Sequence, residues 1–162
     1  MKSVLLYIAD DEGFEARFQA ALDLTRSLGG HLHCLRVNPY NSQVAFDGVT
    51  GISVMYDVSQ MSRELDEKLR AEIEKRLADE DVSWDYREEN ADPARGLSKN
   101  SSLVDIIVLS SASQDKDNAL PLGILGDVLF NATAPVIVQP DDVKKFDACG
   151  AALVAWNGSF EA

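Results

Sequence analysis

The chain alternates short apolar runs with longer segments in which apolar residues recur every three or four positions. Ser3-Val-Leu-Leu-Tyr-Ile-Ala9 is continuous and too short for a helix, the pattern of a strand buried on both faces. After Asp10-Asp11-Glu12-Gly13, the residues Phe14, Phe18, Ala21, Leu22, Leu24 and Leu28 stand at helical spacing, and Gly29-Gly30 supplies a left-handed stop. Residues 31–37 alternate as a half-buried strand closed by Asn38-Pro39, which completes a β-α-β unit. Residues 38–56 show no clean period, carry Gly48 and Gly51, and read as a loop with room for short structure. Met61, Leu65, Leu69, Ile73 and Leu77 lie four apart among Glu, Lys and Arg, so an amphipathic helix is predicted over 57–79.

Residues 82–87 alternate as a third strand, and Pro93 stands where it would open a short helix through Leu97. Residues 103–109 form another buried-strand run, residues 110–121 a polar loop, 123–133 a short helix, and 135–138 a fifth strand. Strands alternating with helices in this order predict an α/β fold, a five-stranded parallel sheet with helices on both faces.

The tail repeats the opening. Ala151-Ala-Leu-Val-Ala-Trp156, followed by Asn157-Gly-Ser-Phe-Glu-Ala162, mirrors residues 4–9 followed by 10–16, and Phe-Glu-Ala recurs at an offset of 146 residues. That period is a whole domain. The expected organisation is one domain over 1–140, a linker over 141–149, and in 150–162 the first strand of a second, incomplete copy. Such a strand should dock on a sheet edge, swap into a neighbour or lie disordered.

Composition narrows the function. With 162 residues the chain can bury a core without metal or disulfide staples. Its 15 basic and 27 acidic side chains give a formal charge of −12, which repels polyanions and argues against nucleic-acid or anionic-membrane partners. Lys68, Arg70, Lys75 and Arg76 are interleaved with Glu67, Glu72 and Glu74, the pattern of a solvated helix face. The opening has too few apolar residues for a secretory signal and no run is long enough to span a bilayer, so a cytoplasmic protein is expected. Cys34 and Cys149 have no Cys-x-x-Cys spacing and read as reduced thiols.

Ligands of open parallel sheets sit beyond the C-terminal strand ends, where strand order reverses. Residues 9–13, 37–40, 110–113 and 123–128 fall there. Asp10 either accepts hydrogen bonds from an adenine amine or ribose hydroxyl, or serves as a helix N-cap or loop acid beside a helix dipole.

These segments resemble the universal stress protein family. The resemblance rests on the strand ending in Ala9-Asp10, the helix and strand of residues 20–37, Asp105-Ile-Ile-Val-Leu-Ser-Ser111, and Leu125-Gly-Asp-Val through Ala134-Pro-Val-Ile-Val138, and it covers residues 3–139. The tail Val154-Ala-Trp-Asn-Gly-Ser159 is similar to the same family's opening. The resemblance implies a Rossmann-like, adenine-nucleotide alpha-hydrolase-like domain that forms a homodimer through its last strand, here Val136, Ile137 and Val138.

It also implies that nucleotide-binding members carry Gly-x-x-Gly after the fourth strand, then about nine residues, then Gly-Ser or Gly-Thr, whose amides approach phosphate. Here Ser110 and Ser113 replace the two glycines and Gly126-Asp127 best matches the later pair. Twelve residues intervene between Ser113 and Gly126, whereas Gly123-Ile124 restores nine without the hydroxyl. Asp127 would set a carboxylate against a phosphate, with Asp115 and Asp117 in the same loop. Each like-charge contact near 4 Å costs about 4 kcal/mol at an effective dielectric near 20, unless Mg²⁺ intervenes.

The expectation is therefore a regulatory, stress-type binding module with weak or no ATP binding, no catalysis and no required cofactor. Its candidate ligand residues are Ala9, Asp10, Val37, Leu109, Ser110, Ser113, Gly126, Asp127 and Val128. The alternatives are an ATP or AMP binder, with Mg²⁺ and slow hydrolysis, and a purely structural dimerisation module. His31 and His33 share a strand face, yet no third ligand at metal spacing is evident, so no metal is expected. The serines lack a nucleophile elbow, and two histidines make a hydrolase triad improbable. Trp84 and Trp156 read as core or interface residues.

Overall fold

The computed structural model describes residues 2–39, 51–111, 120–143, 145–155 and 158, with the backbone alone over 51–62. Five strands form one parallel sheet: β1 (Ser3–Ile8), β2 (His31–Asn38), β3 (Ser83–Asn90), β4 (Ile106–Ser110) and β5 (Val136–Gln139). Their order is β3-β2-β1-β4-β5. Between them run α1 (Phe14–Leu28), α2 (Gly51–Ala78), α3 (Pro93–Asn100) and α4 (Leu122–Asn131). The chain steps outward from β1 in one direction, then returns to place β4 on its other side, so the switch point lies between β1 and β4.

Continuous apolarity in β1 follows from its two covers. Val4, Leu6 and Ile8 pack with Phe18, Leu22, Ile73 and Leu77 on the side of α1 and α2. Leu5 and Tyr7 pack with Leu97, Leu125 and Val128 on the side of α3 and α4. Gly29 ends α1 in the left-handed region, at φ 54°.

The boundaries differ from the sequence pattern in instructive places. Helix α2 begins at Gly51, inside the stretch read as loop, and residues 40–50 lie outside the described residues. Of its four-residue stripe, Ile73 and Leu77 are buried but Leu65 is 58% exposed. Four residues advance a helix by roughly 400°, so such a stripe drifts about 40° per step and leaves the core face within two steps. Met61 lies where no side chain is described. Leu103, read as strand, instead ends the 3₁₀ turn Ser101–Leu103 and is 67% exposed. β4 starts later because Asp105 pins its entry: its carboxylate accepts 2.9 Å bonds from the Ser3 amide and hydroxyl, and its own amide donates to the Ser3 carbonyl.

Helix α3 spans eight residues with Pro93 in its first turn and Asp92 as its cap, whose side chain accepts from the Arg95 amide at 3.1 Å. Gly96 lets α3 sit directly on β2, since a Cβ there would lie 2.9 Å from both Val37 methyls. Asp92→Ala should destabilise the domain by about 1 kcal/mol, measured as a lower urea midpoint at constant m-value. An unchanged midpoint would mean that the cap contributes nothing.

Beyond β5 the chain folds back on α1. Phe146 packs against the α1 side of the core, and its amide donates to the Asp23 carboxylate at 3.2 Å. Residues 151–155 pair with no strand of the sheet among the described residues, and Leu153 and Val154 are 96% and 84% exposed. Trp156, Asn157 and Phe160 lie outside the described residues. Trp84 is half-buried against the α1 side of the core. Cys34 is a buried free thiol pushed up to about 12, by burial first and then by Asp85, and Cys149 is an exposed free thiol. Among the described residues no helix is long and apolar enough to cross a membrane.

Candidate functional site

The C-terminal end of β1 is held by two guanidiniums. The β1–β4 ladder stops at Leu6 opposite Val108, which leaves later β1 carbonyls in need of donors. Arg17, on α1 and with no exposed side-chain surface, donates to the Tyr7 carbonyl at 2.8 Å and to the Ala9 carbonyl at 3.0 Å. Its third nitrogen bonds the Asp11 carboxylate and the Ser110 hydroxyl, each at 2.5 Å. Arg36, on β2, donates to the Ile8 carbonyl at 3.3 Å and pairs with Asp66 of α2 at 3.0 Å. Both cations are therefore occupied by the protein's own acceptors.

Gly13 completes this closure. It occupies the N-cap position of α1, and a Cβ there would stand 2.5 Å from Ser110 Cβ and 2.7 Å from an Asp141 carboxylate oxygen. Asp10 therefore does not cap α1. It is exposed and has no hydrogen bond or ion pair to another described residue, so the acceptor role and that of a loop acid near the start of α1 both stay open.

The remaining candidates separate by element. Ala9 is half-buried with its carbonyl taken by Arg17, and Ser110 is buried against the same guanidinium. Val37, Leu109 and Val128 are buried in the α3–α4 side of the core, where they can form an apolar floor. Gly126 and Asp127 lie on the second turn of α4, where amides bond within the helix; the first turn instead holds Gly123, with open space around it. Asp127 lines a cleft of about 550 Å³ between α3 and α4, with Arg95, Lys99 and Asn131 among its other walls. The repulsion set on Asp127 from sequence thus sits roughly 7.5 Å along the axis of α4 from Leu122, its first residue. Ser113, Asp115 and Asp117 lie outside the described residues.

Sequence spacing offered His31 and His33 no third ligand, and the sheet corrects this. β2 and β3 pair in parallel with His33 opposite Asp85 and His31 opposite Ser83. One Asp85 carboxylate oxygen, Oδ2, stands 3.0 Å from His33 Nδ1 and 3.4 Å from His31 Nε2. Burial pushes the Asp85 carboxyl up, but hydrogen bonding and charge from His33, with Arg87 and His31, outweigh it and hold the group below the usual carboxylate range. Arg17 was also missed. Its signal was a cation three residues after Phe14 and four before Ala21, on the apolar stripe of α1.

The parallel sheet, its switch point and its two covering layers define a doubly wound, nucleotide-binding-like domain. No protein-family profile and no curated protein matches the sequence. Solved structures do match its shape. The universal stress protein UspA from Lactobacillus plantarum superposes with a TM-score of 0.69 at 14% identity, over 85% of this chain and 96% of that one. The hypothetical protein MJ0577 gives 0.63 at 18% identity, over 86% and 95%. A universal stress protein in complex with cAMP gives 0.52 at 10% identity, over 87% and 98%. The chain has the universal stress protein fold, as the motif resemblance implied.

Proposed function

We propose that this chain is a universal-stress-type regulatory module that takes an adenosine-sized group at the β1–β4 switch point and holds triphosphate weakly or not at all. The observation that carries this reading is the engagement of Arg17 and Arg36 by Asp11, Asp66 and the β1 carbonyls, beside an exposed Asp10 that has no partner among the described residues. Phosphate recognition calls for free cations or free helix amides. Asp10 suits a nucleoside's donor groups, with Val37, Leu109 and Val128 as an apolar floor. The cAMP complex of a protein with the same fold supports an adenine mononucleotide as the ligand class. No catalytic step is assigned to the module. The apolar surface of β5 and α4 supports a homodimer.

Thermal-shift and calorimetric titrations with adenosine, AMP, cAMP and ATP, each with and without Mg²⁺, test the site. Adenosine or a mononucleotide should raise the melting temperature, Asp10→Asn should abolish that rise, and magnesium-free ATP should bind at least about tenfold more weakly, a difference of about 1.4 kcal/mol. ATP binding more tightly than AMP without a divalent ion would overturn the reading.

A further inference from the structure

We propose that His31, His33 and Asp85 form a binding site for a divalent transition metal of the zinc class, at the opposite end of the sheet from the switch point. His31 opens β2, and alternation along a strand puts His31 and His33 on one face. Parallel pairing brings Asp85 across from His33, and one ligand atom from each of the three residues lies within 4.8 Å of the others. In a tetrahedral shell with bonds of about 2.0–2.2 Å, neighbouring ligand atoms stand about 3.3–3.6 Å apart. The two histidine–aspartate separations, 3.0 and 3.4 Å, are already near that spacing.

The surroundings match an open metal site. Ser83 Oγ lies 2.7 Å from His31 Nδ1, so in the tautomer that carries its proton on Nδ1 the ring donates to the serine and leaves the Nε2 lone pair for a metal beside Asp85. That is the outer-shell arrangement that orients a ligating imidazole. Without an ion, Asp85 Oδ2 lies within hydrogen-bond reach of two imidazoles and Arg87 Nη2 at once, while Oδ1 is buried with no hydrogen-bond partner among the described residues. A metal at Oδ2 takes over the positive charge that Arg87 supplies and frees that exposed guanidinium to turn to Oδ1. Three protein ligands leave a fourth position, and His33 borders a cavity of about 220 Å³ walled by Leu5, Leu35 and Asn100, with room for water or a small ligand. Two imidazoles and one carboxylate select zinc, cobalt, nickel or copper over calcium and magnesium, which prefer all-oxygen shells.

Cobalt titration of the full chain, followed by visible absorption with Cys149→Ser as the background, tests the site. Replacing Cys149 removes the exposed thiol, a competing metal ligand. One equivalent should bind with the intense visible bands of a four- or five-coordinate ion and no thiolate charge-transfer band, and zinc should displace it. Asp85→Asn, His31→Gln and His33→Gln should each weaken binding at least about tenfold, with an unchanged far-ultraviolet circular dichroism spectrum. Because His31 and Asp85 are partly exposed, their variants keep the test meaningful if His33→Gln fails to fold. No saturable uptake up to about 1 mM cobalt, or uptake that survives both Asp85→Asn and His31→Gln, would overturn the proposal.

Discussion

Arg17→Ala is expected to cost about 3–5 kcal/mol of folding stability, a large share of what a domain of this size possesses. The guanidinium is wholly buried, and its removal strands the Asp11 carboxylate, the Ser110 hydroxyl and the Tyr7 and Ala9 carbonyls together. Each orphaned acceptor keeps its desolvation penalty without its bond. Asp11 is itself only 9% exposed, so it cannot recover its hydration by a rotamer change alone. Equilibrium urea unfolding should show the loss as a lower midpoint. Arg17→Met combined with Asp11→Ala should recover part of it, because an apolar replacement of a buried pair is far less costly than a broken pair. A loss below about 1 kcal/mol for the single variant would mean that water replaces the guanidinium, and the closure of the strand ends would then not depend on it.

Val138→Asp is expected to convert the proposed homodimer to monomers, read by light scattering on a sizing column. β5 is an edge strand on which Val138 is 37% exposed, and α4, the helix that precedes it in the chain, carries Phe130 at 92% and Leu129 at 52% exposure. Covering a large apolar side chain contributes roughly 1.5–3 kcal/mol, so this surface suits a subunit contact. Ile137 is the poorer target, because it packs against the α1 side of the core and a charge there would unfold the chain as well. A dimer unchanged by both Val138→Asp and Phe130→Asp would place the contact elsewhere, with the exposed Leu153 and Val154 as the next surface to test.

Much of the fold was legible because burial on one or two faces leaves a periodic trace. β1 reads as apolar throughout because both its faces are covered, and α1 shows its stripe from Phe14 to Leu28. The pattern failed where the cause was not local periodicity. Leu65 keeps the stripe of α2 yet leaves the core through helical drift, and Leu103 belongs to a turn because Asp105 binds the start of β1. Gly96 serves as the point where α3 closely approaches Val37, which no local period announces. At the candidate site, Asp10 was visible as an acid at a strand end, whereas the placement of Gly126 and Asp127 depended on where α4 begins.

What the amino-acid order determined alone was the succession of most elements and a parallel sheet covered on both faces, since hydrophobic period and turn residues act over a few positions. Only the folded chain decided which polar groups meet. Arg17 and Ser110 stand 93 residues apart and His33 and Asp85 stand 52 apart. Joining them requires strand order and register, and a slip of one residue in β3 would turn Asp85 to the other face of the sheet. Local pattern states that a strand exists there but carries no information about the neighbour it takes or the alignment it adopts.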